Sequence, residues 1–256
     1  TINQTFTLAI QNHQKNNIQV AKNLYIEVLK IDSNHTNSLN NLGLIFKSLK
    51  NYKKAISFFE KAIEIDPNYV IAHYNLANIF QSLKQFQNAI SSYNKTIEID
   101  PKYLNAYNNL AHIFLSLKQF QKAIDCYEKA IEVDPNYEET YYNLGIVFDK
   151  LGDYQKSVNS YEKVIKINSH HTFAHNNLGI MFDKLGDYQK AINCYKIAIE
   201  INPNNTEAYY NLGKAFYVLK EDQKAIECFE KAIKINPNYA HAHNNLGIIF
   251  NKLCYS

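Results

Sequence analysis

All five prolines of this chain fall on one lattice: Pro67, Pro101 and Pro135, then Pro203 and Pro237, with every gap 34 residues or twice 34. The lattice point left vacant is Ser169, inside KINSHH, where neighbouring stretches read EIDPNY or EINPNN. A fixed period of this length is the signature of stacked supersecondary units and argues against a globular enzyme domain. Such a stack presents a surface, so the functional question is what that surface holds.

Laid on this period, the chain reads as a single array, 1–256. It has seven units, 2–35, 36–69, 70–103, 104–137, 138–171, 172–205 and 206–239, followed by a lone first helix at 240–256. Each unit carries two helical patterns. In the third, VIAHYNLANIFQSL places apolar residues at i, i+3, i+4 and i+7, and QFQNAISSYNKTIEI does so again until Pro101 stops it, since proline cannot continue the hydrogen-bond ladder. The expected fold class is all-α. Glycines fall at Gly43, Gly145, Gly179, Gly213 and Gly247 in first helices and at Gly152 and Gly186 in the turns.

Within a unit, position 7 is Leu, 8 Gly or Ala, 11 Phe, 20 Ala, 24 Tyr or Phe, 27 Ala and 32 Pro. Unit two has Leu42, Gly43, Phe46, Ala55, Phe59, Ala62 and Pro67; unit six has Leu178, Gly179, Phe182, Ala191, Tyr195, Ala198 and Pro203. This pattern resembles the tetratricopeptide repeat over essentially the whole chain. The departures are His73, Tyr107, Tyr141, His175, Tyr209 and His243 at position 4, where the family usually has Trp, and Ser157 and Val164, where Ala is usual. Unit one is degenerate, with Thr5, Asn12 and Ser33 at key positions, as befits a capping repeat whose outer face meets water. The resemblance implies a right-handed α-solenoid superhelix of stacked antiparallel helix pairs, with first helices lining a concave groove. It also implies a scaffold for protein partners without chemistry of its own.

Position 6 bears on function. It is Asn41, Asn75, Asn109, Asn143, Asn177, Asn211 and Asn245, with Thr7 in the capping unit. On a helical wheel, core positions 4, 7, 8 and 11 span about 140–240° while position 6 falls near 40°, so the row is expected to line the groove. A side-chain amide both donates and accepts, and can hold an extended peptide backbone without reading its sequence. Successive first helices ~10 Å apart match three residues of extended chain. The row resembles the asparagine ladder of O-linked N-acetylglucosamine transferases. The alternative is that Asn was copied with the repeat and touches no ligand.

The rest of the groove changes along the chain. Early units place Asn37, Ser48, Asn78, Ser82, Asn105, His112 and Ser116 there. Later ones place Glu139, Lys150, Lys184, Glu207, Lys214 and Lys252, with Ile146, Phe173, Ile180, Val218 and Ile248 between them. The C-terminal half is therefore expected to grip an apolar or acidic side chain, with Lys150, Lys184 and Lys214 as counter-charges. Position 6 is never basic, which excludes the family's carboxylate clamp for chaperone C-termini.

Other chemistry finds no support. Cys126, Cys194 and Cys228 share one repeat position, too far apart for a disulfide, and read with Cys254 as packing thiols in a reducing, cytoplasmic setting. His170, His171 and His175 lack accompanying Cys or carboxylate at metal-ligand spacing. A net charge of +3, with lysines interleaved among carboxylates, argues against nucleic acid, and no 18-residue apolar run argues for a membrane span. No cofactor, metal or catalytic residue is expected. Two alternatives to a plain scaffold stand. The chain could be the substrate-recognition half of a larger transferase-type enzyme. Or it could self-associate end to end through 240–256, where Leu246 and Phe250 lack their usual cover.

Overall fold

The computed structural model describes residues 1–254, which form 15 helices and no strand among the described residues. Two compact units divide the chain, Thr1–Val133 and Asp134–Ser256. In the first, α1 (Ile2–Gln14), α3 (Thr36–Ser48), α5 (Val70–Ser82) and α7 (Leu104–Ser116) are first helices. Their partners are α2 (Ile18–Ile31), α4 (Tyr52–Ile65), α6 (Phe86–Ile99) and α8 (Phe120–Val133). The second unit repeats the scheme with first helices α9 (Glu138–Leu151), α11 (Thr172–Lys184), α13 (Thr206–Val218) and α15 (Ala240–Cys254). Its second helices are α10 (Tyr154–Ile167), α12 (Tyr188–Ile201) and α14 (Asp222–Ile235). Within each unit every helix packs against its neighbour in the chain, and α3 also touches α5 as α11 touches α13.

The core sits where the period places it. Positions 20, 24 and 27 of the second helices, such as Ala55, Phe59 and Ala62 or Ala191, Tyr195 and Ala198, are fully buried. Opposite each position-24 ring lies the small residue of position 8. A Cβ added at Gly179 would stand 2.6 Å from Tyr195 Cε1, and one at Gly43 2.5 Å from Phe59 Cε1. Ser157, a departure from Ala, donates its buried hydroxyl to the Gly145 carbonyl at 2.8 Å. On α15 the same glycine position is open, for nothing lies within 4 Å of a Cβ at Gly247. Cys254, expected as a packing thiol, lies outside the residues whose side chains are described.

The turns show that proline is not what makes them. At the end of each second helix an Asp or Asn accepts the backbone N–H two residues on: Asp32, Asp66, Asp100, Asp134, Asn168, Asn202 and Asn236 do so at 2.9–3.2 Å. This side-chain mimic of a turn forms at Asn168 although Ser169 replaces proline. Asn168 already holds the extended backbone (φ −133°, ψ 95°) that a following proline requires. The turn inside each unit needs a left-handed residue. Gly152 and Gly186 supply it at φ 77° and 81°, but Lys50, Lys84, Lys118 and Lys220 also adopt it at φ 56–61°.

Ser169→Pro therefore raises stability by about 0.4–1 kcal/mol, by restricting the unfolded chain alone; an unchanged or lower urea midpoint would show the site is not preset. Gly179→Ala and Gly247→Ala share one helix-propensity gain, yet the former also crowds a buried ring. Their unfolding free energies should differ by about 1–3 kcal/mol, with Gly179→Ala the less stable.

Candidate functional site

Position 6 does not face solvent as the wheel implied. Asn75, Asn143 and Asn211 are buried, and Asn41, Asn109, Asn177 and Asn245 are half-buried. A stacked first helix has a second seam besides its core stripe. Positions 3 and 10, for example Ala72 and Ile79 or Ala174 and Met181, are also buried. They lie at about 80–100° on the same wheel, between the core and position 6. Where α5 meets α3 and α13 meets α11, contact with the preceding first helix closes over Asn75 and Asn211.

The amides are bonded within the protein, and the bonding alternates. Asn75 Nδ2 donates to Asn40 Oδ1 at 2.9 Å, and Asn211 Nδ2 to Asn176 Oδ1 at 3.2 Å. Between them stand rungs that end on tyrosine. Asn109 donates to Tyr74 Oη at 3.1 Å, Asn177 to Tyr142 Oη at 3.2 Å and Asn245 to Tyr210 Oη at 3.4 Å. Asn41, next to the capping repeat, donates to Tyr25 Oη at 3.2 Å. The cause is position 5, which alternates Asn40, Tyr74, Asn108, Tyr142, Asn176, Tyr210 and Asn244. The asparagines Asn40 and Asn176 meet buried rungs, whereas the tyrosines Tyr74, Tyr142 and Tyr210 meet half-open ones.

Tyrosines of position 24 reach the same surface from below. Their rings are buried in the core, but Tyr93 Oη lies 2.6 Å from both Asn78 Oδ1 and Gln81 Oε1, within reach of either acceptor for its one proton. Tyr195 Oη donates to Asp183 Oδ2 at 2.7 Å. Burial pushes the phenols of Tyr25, Tyr93, Tyr161 and Tyr195 above their ordinary range, so they remain neutral donors.

The lysines expected as counter-charges for a ligand are mostly engaged at home. Lys184 pairs with Asp149 and lies over the Tyr154 ring at 5.0 Å. Lys214 lies over Tyr210 at 5.7 Å, and Lys150 is exposed. Exposed apolar side chains stand among them, Phe173 at 64% and Val218 at 50%. The histidines are occupied structurally: His171 caps α11 through the Ala174 N–H, and His175 Nε2 lies 3.0 Å from the Ser169 carbonyl oxygen. Burial pushes the Cys126, Cys194 and Cys228 thiols up to about 12, which keeps them protonated. Among the described residues no helix is long and apolar enough to cross a membrane.

The tetratricopeptide repeat profile matches residues 36–69, 70–103, 104–137, 138–171 and 206–239, and a second repeat profile of the family matches 181–220. The chain belongs to the tetratricopeptide repeat family. Among solved structures it is similar to YrrB, described as a tetratricopeptide repeat protein with an unusual peptide-binding site. The two share 26% identity over 73% of this chain and 96% of that one, with a TM-score of 0.64. MamA is similar at 25% identity over 64% of this chain and 96% of its own, with a TM-score of 0.61. The C-terminal part of a repeat protein from Cytophaga hutchinsonii shares the fold at a TM-score of 0.80, with 19% identity over 94% and 99% of the two chains. No curated protein sequence matches the chain. Repeats of this family are scaffolds for protein–protein interaction and are generally non-catalytic.

Removing the Asn75 amide strands the buried Asn40 carbonyl oxygen, so Asn75→Ala should cost about 1–3 kcal/mol. Asn245→Ala, at a half-open rung that water can reach, should cost less than about 1 kcal/mol. Urea unfolding of both variants measures the contrast, and equal losses would refute it.

Proposed function

We propose that the chain is a non-catalytic scaffold that holds an extended segment of a partner protein along its first helices through the asparagine row. The observation that carries this reading is the alternation of the row. In each unit two half-open amides stand two repeats apart, Asn41 with Asn109 and Asn177 with Asn245, while Asn75, Asn143 and Asn211 are buried. Two repeats span roughly 20 Å, about six residues of extended chain. The half-open asparagines contact the ligand backbone, and the buried ones hold neighbouring helices in register. The likeness to YrrB, named for a peptide-binding site, supports a peptide as the kind of ligand.

A second reading, association through the end of the array, is favoured by α15. Gly247 lacks the ring that covers its counterparts, and Phe250 and Leu253 are 46% and 50% exposed. A mass that rises with concentration in light scattering would support it.

The test compares two sets of alanine substitutions in pull-downs. Replacing Asn41, Asn109, Asn177 and Asn245 should lower partner recovery about tenfold or more while the array stays folded, the loss expected from several backbone hydrogen bonds. Replacing Asn75, Asn143 and Asn211 should mainly lower the melting temperature. Undiminished recovery with the first set would remove the ladder from the account.

A further inference from the structure

One rung of a different ladder is missing. Position 12 of one repeat meets position 13 of the next, 35 residues on. Asp149 binds the Lys184 ammonium in this way, and the Tyr217 ring lies under Lys252 at 5.8 Å. At the intermediate rung, between Lys184 and Lys252, the residue 35 positions on from Asp183 is Val218.

The gap is a surface pocket of about 230 Å³ lined by Asp183, Lys184, Tyr188, Lys214, Ala215 and Val218. Asp183 Oδ2 accepts the Tyr195 hydroxyl, whereas Oδ1 is buried without a partner. Neither neighbouring lysine fills the place, because Lys184 is held by Asp149 and the Lys214 ammonium lies over Tyr210. Two other buried side-chain oxygens are unpartnered among the described residues. Ser38 Oγ is neutral, and Asp222 receives Lys252 on its other oxygen at 2.7 Å. Asp183 is thus a desolvated anion without a bonded cation. Burial pushes its carboxyl above the ordinary range, against the Tyr195 hydrogen bond and the field of Lys214.

We infer that this pocket receives a basic side chain, lysine or arginine, from the bound partner. Its methylenes lie on Val218 and its charged head approaches the Asp183 carboxylate, as Lys184 does that of Asp149. The inference deepens the scaffold reading and rests on it for the presence of a partner. It also reverses the expectation of an acidic ligand residue, because the charge left unmet is negative.

Two variants isolate the pocket without unfolding the array. A carboxyl raised by burial favours the folded state while protonated and loses that contribution as pH rises through its folded value. Asp183→Asn should therefore be at least as stable as the wild type at neutral pH. Val218→Lys supplies the missing ammonium from the chain itself.

The probes are N-acetyl-argininamide and the uncharged N-acetyl-norleucinamide, followed by NMR at the Asp183 carboxyl and the Val218 methyls. The arginine probe should give saturable shifts at least about tenfold tighter than the neutral one, the preference expected of a charge-assisted hydrogen bond. Those shifts should vanish in Asp183→Asn, and the Asp183 shift in Val218→Lys as well. No shift in the wild type, or equal binding by Asp183→Asn, would overturn the assignment. A free amino-acid amide does not need the asparagine row. Binding that survives Asn177→Ala with Asn245→Ala therefore separates failure of the ladder from failure of the pocket.

Discussion

The contact on which this molecule depends is an aromatic ring lying against a residue with almost no side chain. Position 24 presses on position 8, as Tyr161 does on Gly145 and Phe229 on Gly213, so closely that an added Cβ would stand 2.7 Å from the ring. That contact sets how near the two helices of a repeat can come. It also decides what the first helix must carry on its far side. A ring lying across the helix delivers its hydroxyl to the opposite surface, and a buried hydroxyl without a partner costs about 1–3 kcal/mol. Where the ring is tyrosine, an acceptor waits: Gln81 and Asn78 for Tyr93, Asp183 for Tyr195. Where it is phenylalanine, as at Phe59 and Phe229, position 12 carries Lys47 and Tyr217 instead. Core packing thus selects polar residues on the far face of the first helix.

A second clock runs on top of the first. The backbone repeats every 34 residues, but position 5 alternates asparagine with tyrosine, so the hydrogen bonds between first helices repeat every second unit. An amide meeting an amide makes a compact, closed rung. An amide meeting a phenol, which offers one donor and a bulkier ring, leaves the rung half-open. Uniform asparagines therefore become two populations with different work, one holding register and the other accessible.

Much of the fold was legible because it follows from single-residue rules. Proline ends a helix, and a period of 3.6 marks the core stripe, which placed Leu42 and Leu178 of position 7 correctly in the interior. The turn was half legible. Proline drew attention to it, while the side-chain bond from Asp66 or Asn168 that shapes it went unread although it recurs in every unit. The left-handed lysines, Lys84 among them, carry no signal in residue type. The site was misjudged in exposure because a wheel assumes one buried stripe, and a stacked helix has two. Partners for the lysines were invisible for a similar reason. Asp149 and Lys184 are 35 residues apart, one more than the period, and become neighbours only when adjacent repeats are compared diagonally.

In a periodic protein most residues are explained by the lattice they belong to, so information about a ligand has to sit in the departures. Many departures explain themselves physically: Ser157 finds the Gly145 carbonyl, and Ser169 is excused by the turn at Asn168. Val218 is different, because a valine there leaves the Asp183 anion unpaired instead of satisfying anything. A buried charge without a bonded partner is among the costlier features a fold can tolerate, and valine gains little where it is half exposed to water. A free array bears that cost at Asp183 at all times, whereas an array holding a basic side chain does not. The defect therefore makes the free state less stable relative to the bound one, which is how a repeat built for packing acquires a preference for a charged partner.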